Sequence, residues 1–130
     1  MTNNQKVLIC DDEEGIRESL KLILGDHYDL ILTDSSEQCL EFLERDKSVG
    51  LVLLDIKMPK VNGLDALKII KEKRPKLNVV IITGYKSVET AHEAVSLGAC
   101  GYIVKPFKSD DILAAVGKLF KARIYSHLLV

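Results

Sequence analysis

The sequence predicts an α/β domain in which one parallel β-sheet is covered by helices on both faces. Five short apolar runs alternate with five amphipathic stretches, and no long loop separates them. This alternation is typical of parallel strands joined by crossover helices. The 130 residues suit one domain and leave no room for a second within this sequence. We therefore expect a single domain built on a single sheet.

The strands are predicted where aliphatic and β-branched residues run together between turn-forming residues. The five predicted strands are 6–10, 28–33, 51–54, 78–83 and 101–104. The third run is aliphatic throughout, which indicates a strand buried on both faces. The second run carries the polar residues Asp29 and Thr33, which fit an edge strand better than a central one.

Each predicted strand is followed by apolar residues at helical spacing. The clearest stripes are Ile16, Leu20, Ile23 and Leu24; Cys39, Leu40 and Leu43; Leu64, Leu67 and Ile70; and Ile112, Val116, Leu119 and Phe120. The fourth helix, at about 87–97, has the weakest stripe, and its pattern assigns Val88, Ala91 and Val95 to the core side. A weakly hydrophobic helix of this kind is the best candidate to move.

Composition and charge exclude several classes of protein. The net charge of −1 and the pI near 6.3 leave no electrostatic footprint for nucleic acid. The polar start, 1–6, leads into only four apolar residues, far short of a signal peptide or a membrane span. Cys10, Cys39 and Cys100 lack metal-ligand spacing and are expected to be small buried residues in a reducing compartment. We expect a cytoplasmic protein that contacts neither nucleic acid nor membrane.

The candidate functional groups stand at the ends of the predicted strands. Asp11 and Asp12 follow the first strand, Asp55 follows the third, Thr83 ends the fourth, and Lys105 follows the fifth. Parallel sheets bind ligands outside the carboxyl ends of their strands. If the first strand is central and the third lies beside it, all five groups converge on one rim of the sheet.

These residue types together suit phosphoryl transfer. Clustered carboxylates repel one another, and the pKa of one of them rises unless a cation joins them. A few hard oxygen ligands suit Mg²⁺, and Lys105 would add a second, mobile positive charge. A metal, an ammonium and a hydroxyl around a carboxylate supply the positioning and charge neutralisation that phosphoryl transfer requires.

Two plainer interpretations remain for single residues. Asp55 could cap the next helix, although Pro59 and the Asn62-Gly63 turn separate it from that helix. Lys105 could be an ordinary solvated surface lysine.

The motifs together resemble the response-regulator receiver domain of two-component signalling. The resemblance spans about 6–120. It rests on separated motifs that occur in the right order: Asp11-Asp12, Asp55 with Met58-Pro59 and Gly63, Thr83-Gly84, and Lys105-Pro106-Phe107. It implies a doubly wound, flavodoxin-like sheet of five parallel strands in the order 2-1-3-4-5, flanked by five helices. It also implies a receiver domain over 1–122, followed at 123–130 by a helix extension or the start of a linker.

By the same resemblance, Asp55 accepts a phosphoryl group from a phosphohistidine on a sensor histidine kinase. Asp12, Asp55 and the backbone carbonyl of Lys57 would hold Mg²⁺, and Asp11 would act mainly through a bound water. Lys105 would pair with the phosphoryl oxygens.

The resemblance also implies that the Lys105-Pro106 peptide bond is cis.

The resemblance further implies a switch. Thr83 would donate a hydrogen bond to the phosphoryl group, and Tyr102 would turn inward to fill the vacated space; Tyr102 as a static edge residue is the alternative. The surface formed by 87–97, 101–104 and the final helix would then control an output domain or a downstream protein, or would form a homodimer. Lys57 and Tyr85 occupy positions that vary in the family and tune the phosphoryl lifetime.

Two other functions stay open at this point. An aspartyl-nucleophile phosphohydrolase would also use an aspartate and Mg²⁺, but Lys57 stands where such enzymes carry their general acid. A phosphorylation-independent adaptor of receiver shape would not need the reactive residues that this sequence retains. The sequence therefore favours a signalling switch over an enzyme with its own substrate.

Overall fold

The computed structural model describes residues 5–58 and 62–128, with side chains up to Lys121. Within these residues five strands alternate with five helices. They are β1 (Lys6–Cys10), α1 (Glu14–Leu24), β2 (Asp29–Thr33), α2 (Ser36–Arg45), β3 (Val49–Leu54), α3 (Gly63–Lys73), β4 (Asn78–Thr83), α4 (Val88–Ser96), β5 (Gly101–Val104) and α5 (Ser109–Leu128). Pro59 of the Met58-Pro59 motif lies outside the described residues, as does the end of the predicted extension, Leu129 and Val130.

The strands form one parallel sheet in the order β2-β1-β3-β4-β5, which confirms the predicted fold. Their register brings the carboxyl ends to the same edge of the sheet, with β4 reaching two residues beyond β3. Cys10, the last residue of β1, pairs with Thr33 of β2 and with Leu54 of β3. Thr83, the last residue of β4, pairs with Val104 of β5. The residues that follow these strands therefore leave the sheet along one edge.

A hydrophobic core lies on each face of the sheet, because successive side chains of a strand point to opposite faces. Leu8 and Cys10 of β1 contribute to the core under α2 and α3, whereas Val7 and Ile9 pack with residues of α1 and α5. All six residues of β3 are buried, as expected for a strand covered on both sides. Complete burial of one large aliphatic side chain contributes about 1.5–3 kcal/mol, so the two cores together fix the sheet.

The two outer strands are less buried than the central ones. In β2 only Thr33 is buried, and its hydroxyl donates to the Ile9 carbonyl (2.8 Å). This confirms the prediction that β2 lies at an edge. The four residues of β5, at the other edge, are all half-buried.

The core-facing side of α4 differs from the predicted one. Val88 and Val95 are 83% and 57% exposed, so the assignment of these residues to the core was wrong. Ala94 is the fully buried residue, and Thr90, Leu97 and Ala91, the third residue assigned to the core, are half-buried beside it. The positions 90, 94 and 97 form one helical face, which is rotated from the predicted one. Ala94, at the centre of this face, is packed in the core, where a larger side chain would need additional space.

This orientation predicts opposite outcomes for two substitutions in α4. Ala94→Leu should lower the free energy of unfolding by about 1–3 kcal/mol, because the larger side chain does not fit against the sheet. Val88→Ala should change it by less than about 0.5 kcal/mol, because Val88 is in solvent. Urea unfolding followed by circular dichroism measures both, and a larger loss for Val88→Ala would contradict the orientation.

The cysteines follow the prediction in two cases out of three. Cys10 and Cys39 are fully buried, but Cys100 is exposed in the turn before β5. The Cys100 thiol still donates to the Val79 carbonyl (3.4 Å), which holds it against the edge of the sheet.

The longest helix, α5, crosses the predicted domain boundary. It continues from Ser109 to Leu128, so residue 122 lies inside a helix rather than at its end. The role of 123–130 as an extension or a linker stays a prediction. Neither α5 nor any other helix in the described part of the chain has the length and apolar character of a membrane span.

Candidate functional site

Main-chain hydrogen bonds between neighbouring strands continue one residue past the strand ends, and they hold the site residues in place. The Asp55 amide donates to the Cys10 carbonyl (2.9 Å), and the Lys105 amide donates to the Thr83 carbonyl (2.8 Å). The Asp11 amide in turn donates to the carbonyl of Thr33 (3.1 Å). Asp11, Asp55, Thr83 and Lys105 are therefore held at the same edge by main-chain hydrogen bonds, as predicted.

The Lys105 ammonium group lies at the centre of this edge. Its Nζ is 2.8 Å from Asp11 Oδ2, 2.9 Å from Asp55 Oδ2 and 2.9 Å from Glu13 Oε1. The side chains of Asp11 and Asp55 are 3% and 2% exposed, and that of Lys105 is 11% exposed. Lys105 is thus not a solvated surface lysine, because its side chain is largely buried and its ammonium group contacts three carboxylates.

The second oxygens of the two buried carboxylates accept backbone hydrogen bonds. Asp11 Oδ1 accepts from the Glu13 amide and Asp55 Oδ1 from the Lys57 amide, both at 2.9 Å. The helix after the Asp55 loop has its own cap, since Asn62 Oδ1 accepts from the Leu64 amide (2.8 Å). Asp55 is therefore not a helix cap, and its carboxylate belongs to the cluster at the rim.

Burial and neighbouring charges shift the pKa values of this cluster in opposite directions. Burial raises the pKa of Asp11, and hydrogen bonds from Lys105 and the Glu13 amide only partly offset it. For Lys105, burial alone would lower the pKa, but the hydrogen bonds to Asp11, Glu13 and Asp55 outweigh it, and the pKa is raised. Lys105 therefore stays charged, and it is the cation that the buried carboxylates require.

The acidic cluster could also hold a metal ion. Asp11, Asp12, Glu13 and Asp55 each place an oxygen within 4.8 Å of the others. These donors are all hard carboxylate oxygens, and exposed Asp12 is accessible to a hydrated ion. Mg²⁺ prefers such oxygens and retains several waters, so the donor set fits the predicted magnesium site.

Thr83 and Tyr102 lie on the β4–β5 side of the site. Thr83 is fully buried, and its hydroxyl is 3.5 Å from the Tyr85 amide nitrogen. The Tyr102 hydroxyl donates to the Tyr85 carbonyl (3.0 Å), and burial raises the pKa of this phenol. The segment after β4 therefore connects the two residues of the predicted switch.

The two predicted tuning positions contact each other. The Lys57 ammonium lies over the Tyr85 ring, 5.5 Å from its centroid, in a cation–π arrangement. The Lys57 amide meanwhile donates to Asp55, so one residue joins the buried carboxylate to the aromatic ring. The role of the Lys57 carbonyl as a metal ligand stays a prediction.

Comparisons with known proteins agree with this geometry. The sequence model of the response regulator receiver domain family matches residues 7–117. The chain belongs to the response regulator receiver domain family. It is 37% identical over 128 residues to the transcriptional regulatory protein ZraR of Escherichia coli O157:H7, an alignment that covers 98% of this chain and 28% of ZraR. This receiver thus spans about a quarter of the length of the curated relatives it matches.

Solved receiver structures share the whole fold. A CheY-like receiver from Methanospirillum hungatei has 30% identity and a TM-score of 0.87, covering 95% of this chain and 99% of that one. A receiver from Clostridium thermocellum has 31% identity and a TM-score of 0.86, covering 96% and 98%. Receiver domains generally bind Mg²⁺ and act with histidine kinases and output domains, so this chain is a signalling switch.

The receiver's Lys105-Pro106 bond is cis, as the resemblance implied.

One site residue was missed in the sequence. Glu13 contributes a carboxylate to Lys105 and its amide to Asp11. The acidic run from Asp11 to Glu14 signalled extra charge at this rim, but it did not indicate which glutamate turns toward the lysine. Only Glu13 of the two has an ion pair to Lys105 among the described residues.

Proposed function

We propose that this receiver accepts a phosphoryl group on Asp55 from a phosphohistidine of a sensor histidine kinase. The contact between Asp55 Oδ2 and the Lys105 ammonium, at 2.9 Å, carries the proposal. The Asp55 carboxylate lies beside a cation there, at the edge of the sheet where Asp11 and Glu13 also lie, which supports its role as the nucleophile. No substrate other than the phosphodonor is required.

In the transfer, a carboxylate oxygen of Asp55 forms a bond to phosphorus while the bond from phosphorus to the donor's imidazole nitrogen breaks. The nitrogen leaves with the electron pair, and the product is an acyl phosphate. The Lys57 amide holds one Asp55 oxygen in place, and Lys105 neutralises charge on the transferred group. Positioning and charge neutralisation supply most of the catalysis of phosphoryl transfer, so the protein assists its own modification.

We assign the magnesium site to Asp11, Asp12, Asp55 and the backbone carbonyl of Lys57, with Asp11 acting mainly through a bound water. When bound, Mg²⁺ would neutralise the negative charge that gathers as the phosphoryl group arrives. Exposed Asp12 gives the ion a route from solvent, whereas Asp11 and Asp55 are buried behind it.

Phosphorylation would switch the β4–β5 side of the domain. Thr83 would donate its hydroxyl to a phosphoryl oxygen, and movement of the segment after β4 would also move the Tyr85 carbonyl that Tyr102 contacts. A full switch requires about 5.5 kcal/mol of differential interaction, so several contacts must change together. We assign the output surface to α4, β5 and α5.

That surface would control an output domain or a downstream protein, or would form a homodimer after phosphorylation. We propose that the domain works in the cytoplasm, where sensor kinases present their phosphohistidine, and that it contacts neither nucleic acid nor membrane itself.

Labelling with radioactive acetyl phosphate tests the proposed function. We expect about one phosphoryl group per chain with Mg²⁺, and loss of at least about 90% of the labelling rate with EDTA, because the carboxylates alone repel the incoming charge. Borohydride reduces an acyl phosphate to the alcohol and releases the phosphate, so mass spectrometry of the reduced protein should find homoserine in place of Asp55. Equal labelling with EDTA would contradict the metal site, and homoserine at another position would contradict the assignment of Asp55.

A further inference from the structure

Three carboxylates surround the ammonium group of Lys105 in this structure. An ammonium group carries three N–H donors; Lys105 donates to Asp55 Oδ2 and Glu13 Oε1, and it forms an ion pair with Asp11 Oδ2 at 2.8 Å. Before Asp55 has reacted, an incoming phosphoryl oxygen can therefore bind Lys105 only if one of these carboxylates makes way for it.

The three carboxylates differ in how easily they can release the lysine. Asp11 and Asp55 are almost fully buried, and each also accepts a backbone hydrogen bond. Separation from Lys105 would leave Asp11, or Asp55 before it has reacted, as a buried, unpaired charge, which is very unfavourable. The Glu13 side chain is 61% exposed, so water can replace the lysine with little loss.

The position of Glu13 leaves its side chain free to move. Glu13 is the N-cap residue of α1, but its side chain makes no capping hydrogen bond. Its backbone has a separate role, because its amide donates to Asp11 and its carbonyl accepts from the Arg17 amide (3.1 Å). The Glu13 carboxylate can therefore leave Lys105 while Asp11 and the start of α1 remain in place.

We propose that Glu13 is a positioning residue that occupies the phosphoryl-binding donor of Lys105 in the resting domain and is displaced when the phosphoryl group arrives. The inference rests on the proposed function. Glu13 completes the ion pairs of Lys105 and competes with the phosphoryl oxygen for the same N–H. Removal of its charge weakens the contact of Glu13 with Lys105, so that a phosphoryl oxygen competes more easily for that donor while the two buried carboxylates still hold the lysine.

Titration of the whole chain with beryllofluoride, a phosphoryl mimic, at saturating Mg²⁺ tests this role. Glu13→Gln should bind beryllofluoride about two- to fivefold more tightly than the wild type, which is the strength that exposed ion pairs provide. Glu14→Gln is the matched control, since it removes the same charge from the next residue, which has no ion pair to Lys105 among the described residues. It should leave the affinity unchanged.

A Mg²⁺ titration without beryllofluoride supplies a second measurement. If Glu13 acts only on Lys105, Glu13→Gln should leave the Mg²⁺ affinity within about twofold of the wild type. If Glu13 binds the metal, the same substitution should lower the Mg²⁺ affinity at least about tenfold. Glu13→Asp keeps the charge on a shorter side chain and should bind beryllofluoride like the wild type or between it and Glu13→Gln.

Several outcomes would overturn the inference. Unchanged or weaker beryllofluoride binding by Glu13→Gln would show that Glu13 does not compete for Lys105. Equal tightening by Glu14→Gln would show a general charge effect, and a loss of Mg²⁺ affinity would make Glu13 a metal ligand. If the wild type itself bound no beryllofluoride, both this inference and the proposed function would be wrong, so the two failures are distinguishable.

Discussion

Asp55→Asn should leave the domain folded and reduce phosphoryl labelling from acetyl phosphate to background. The asparagine side chain has nearly the same shape, and its oxygen can still accept the hydrogen bond from the Lys57 amide. Its neutral amide is a poor nucleophile toward phosphorus. Lys105 would keep its ion pairs with Asp11 and Glu13, so the cation remains at the rim although the acceptor is lost.

Asp34→Asn is the matched control for this prediction. Asp34 follows β2 in the same way that Asp55 follows β3, but it is exposed and lies outside the acidic cluster. Its replacement should leave the labelling rate within about twofold of the wild type, as expected for a surface substitution away from the site. If Asp55→Asn were labelled at the wild-type rate while circular dichroism showed a native fold, Asp55 would not be the phosphoryl acceptor.

The strand ends could be predicted because two independent features of the sequence locate them. Aliphatic runs such as 51–54 indicate buried strands, and a charged residue directly after such a run can only stand where the strand leaves the core. Parallel topology then brings Asp11, Asp55 and Lys105 to one edge without knowledge of any side-chain conformation. The parallel α/β architecture and the placement of these residues at the strand ends follow from these features, whereas the strand order came from the resemblance to receiver domains.

The orientation of α4 could not be predicted in the same way. Its valines are more hydrophobic than its alanines, so the apolar pattern selects the face with Val88 and Val95. The space between the helix and the sheet selects the other face, where Ala94 is fully buried. Sequence patterns report hydrophobicity, whereas the distance between a helix and a sheet depends on side-chain volume on both sides.

The ion pairs of Lys105 could not be predicted from the sequence either. Glu13 and Glu14 are the same residue type in adjacent positions, and only the geometry at the start of α1 decides which carboxylate reaches the lysine. The sequence also suggested a mobile lysine, because a lone Lys-Pro motif shows no partner. The partners come from two other strand ends, 94 and 50 positions away for Asp11 and Asp55 (105 − 11 and 105 − 55).

Gly63 should be the glycine whose replacement by alanine destabilises the domain most. The first residue of α3 packs directly on the end of the Asp55 strand, and its amide donates to the Ile56 carbonyl (3.2 Å). A Cβ atom at Gly63 would overlap the Ile56 Cα and lie 2.6 Å from the Asp55 carbonyl oxygen. These are backbone atoms of a buried segment, so no side chain can rotate away to relieve the overlap.

We expect Gly63→Ala to lower the free energy of unfolding by about 3 kcal/mol or more, at the upper end of the cost of overpacking. Gly117→Ala is the matched control, because a Cβ there meets nothing within 4 Å and Gly117 lies within α5. It should raise the stability by about 0.5–1 kcal/mol, since alanine favours the helix. Urea unfolding distinguishes the two, and similar values for both variants would contradict the close contact at Gly63.

The same substitution should also weaken the site. The backbone can relieve the overlap only by moving α3 away from Asp55 and Ile56, and that movement would disturb the loop in which the Lys57 amide holds Asp55 Oδ1. Under conditions where Gly63→Ala remains folded, its beryllofluoride affinity should therefore fall, while that of Gly117→Ala stays at the wild-type value. Loss of stability without loss of affinity would mean that α3 shifts independently of the phosphoacceptor loop.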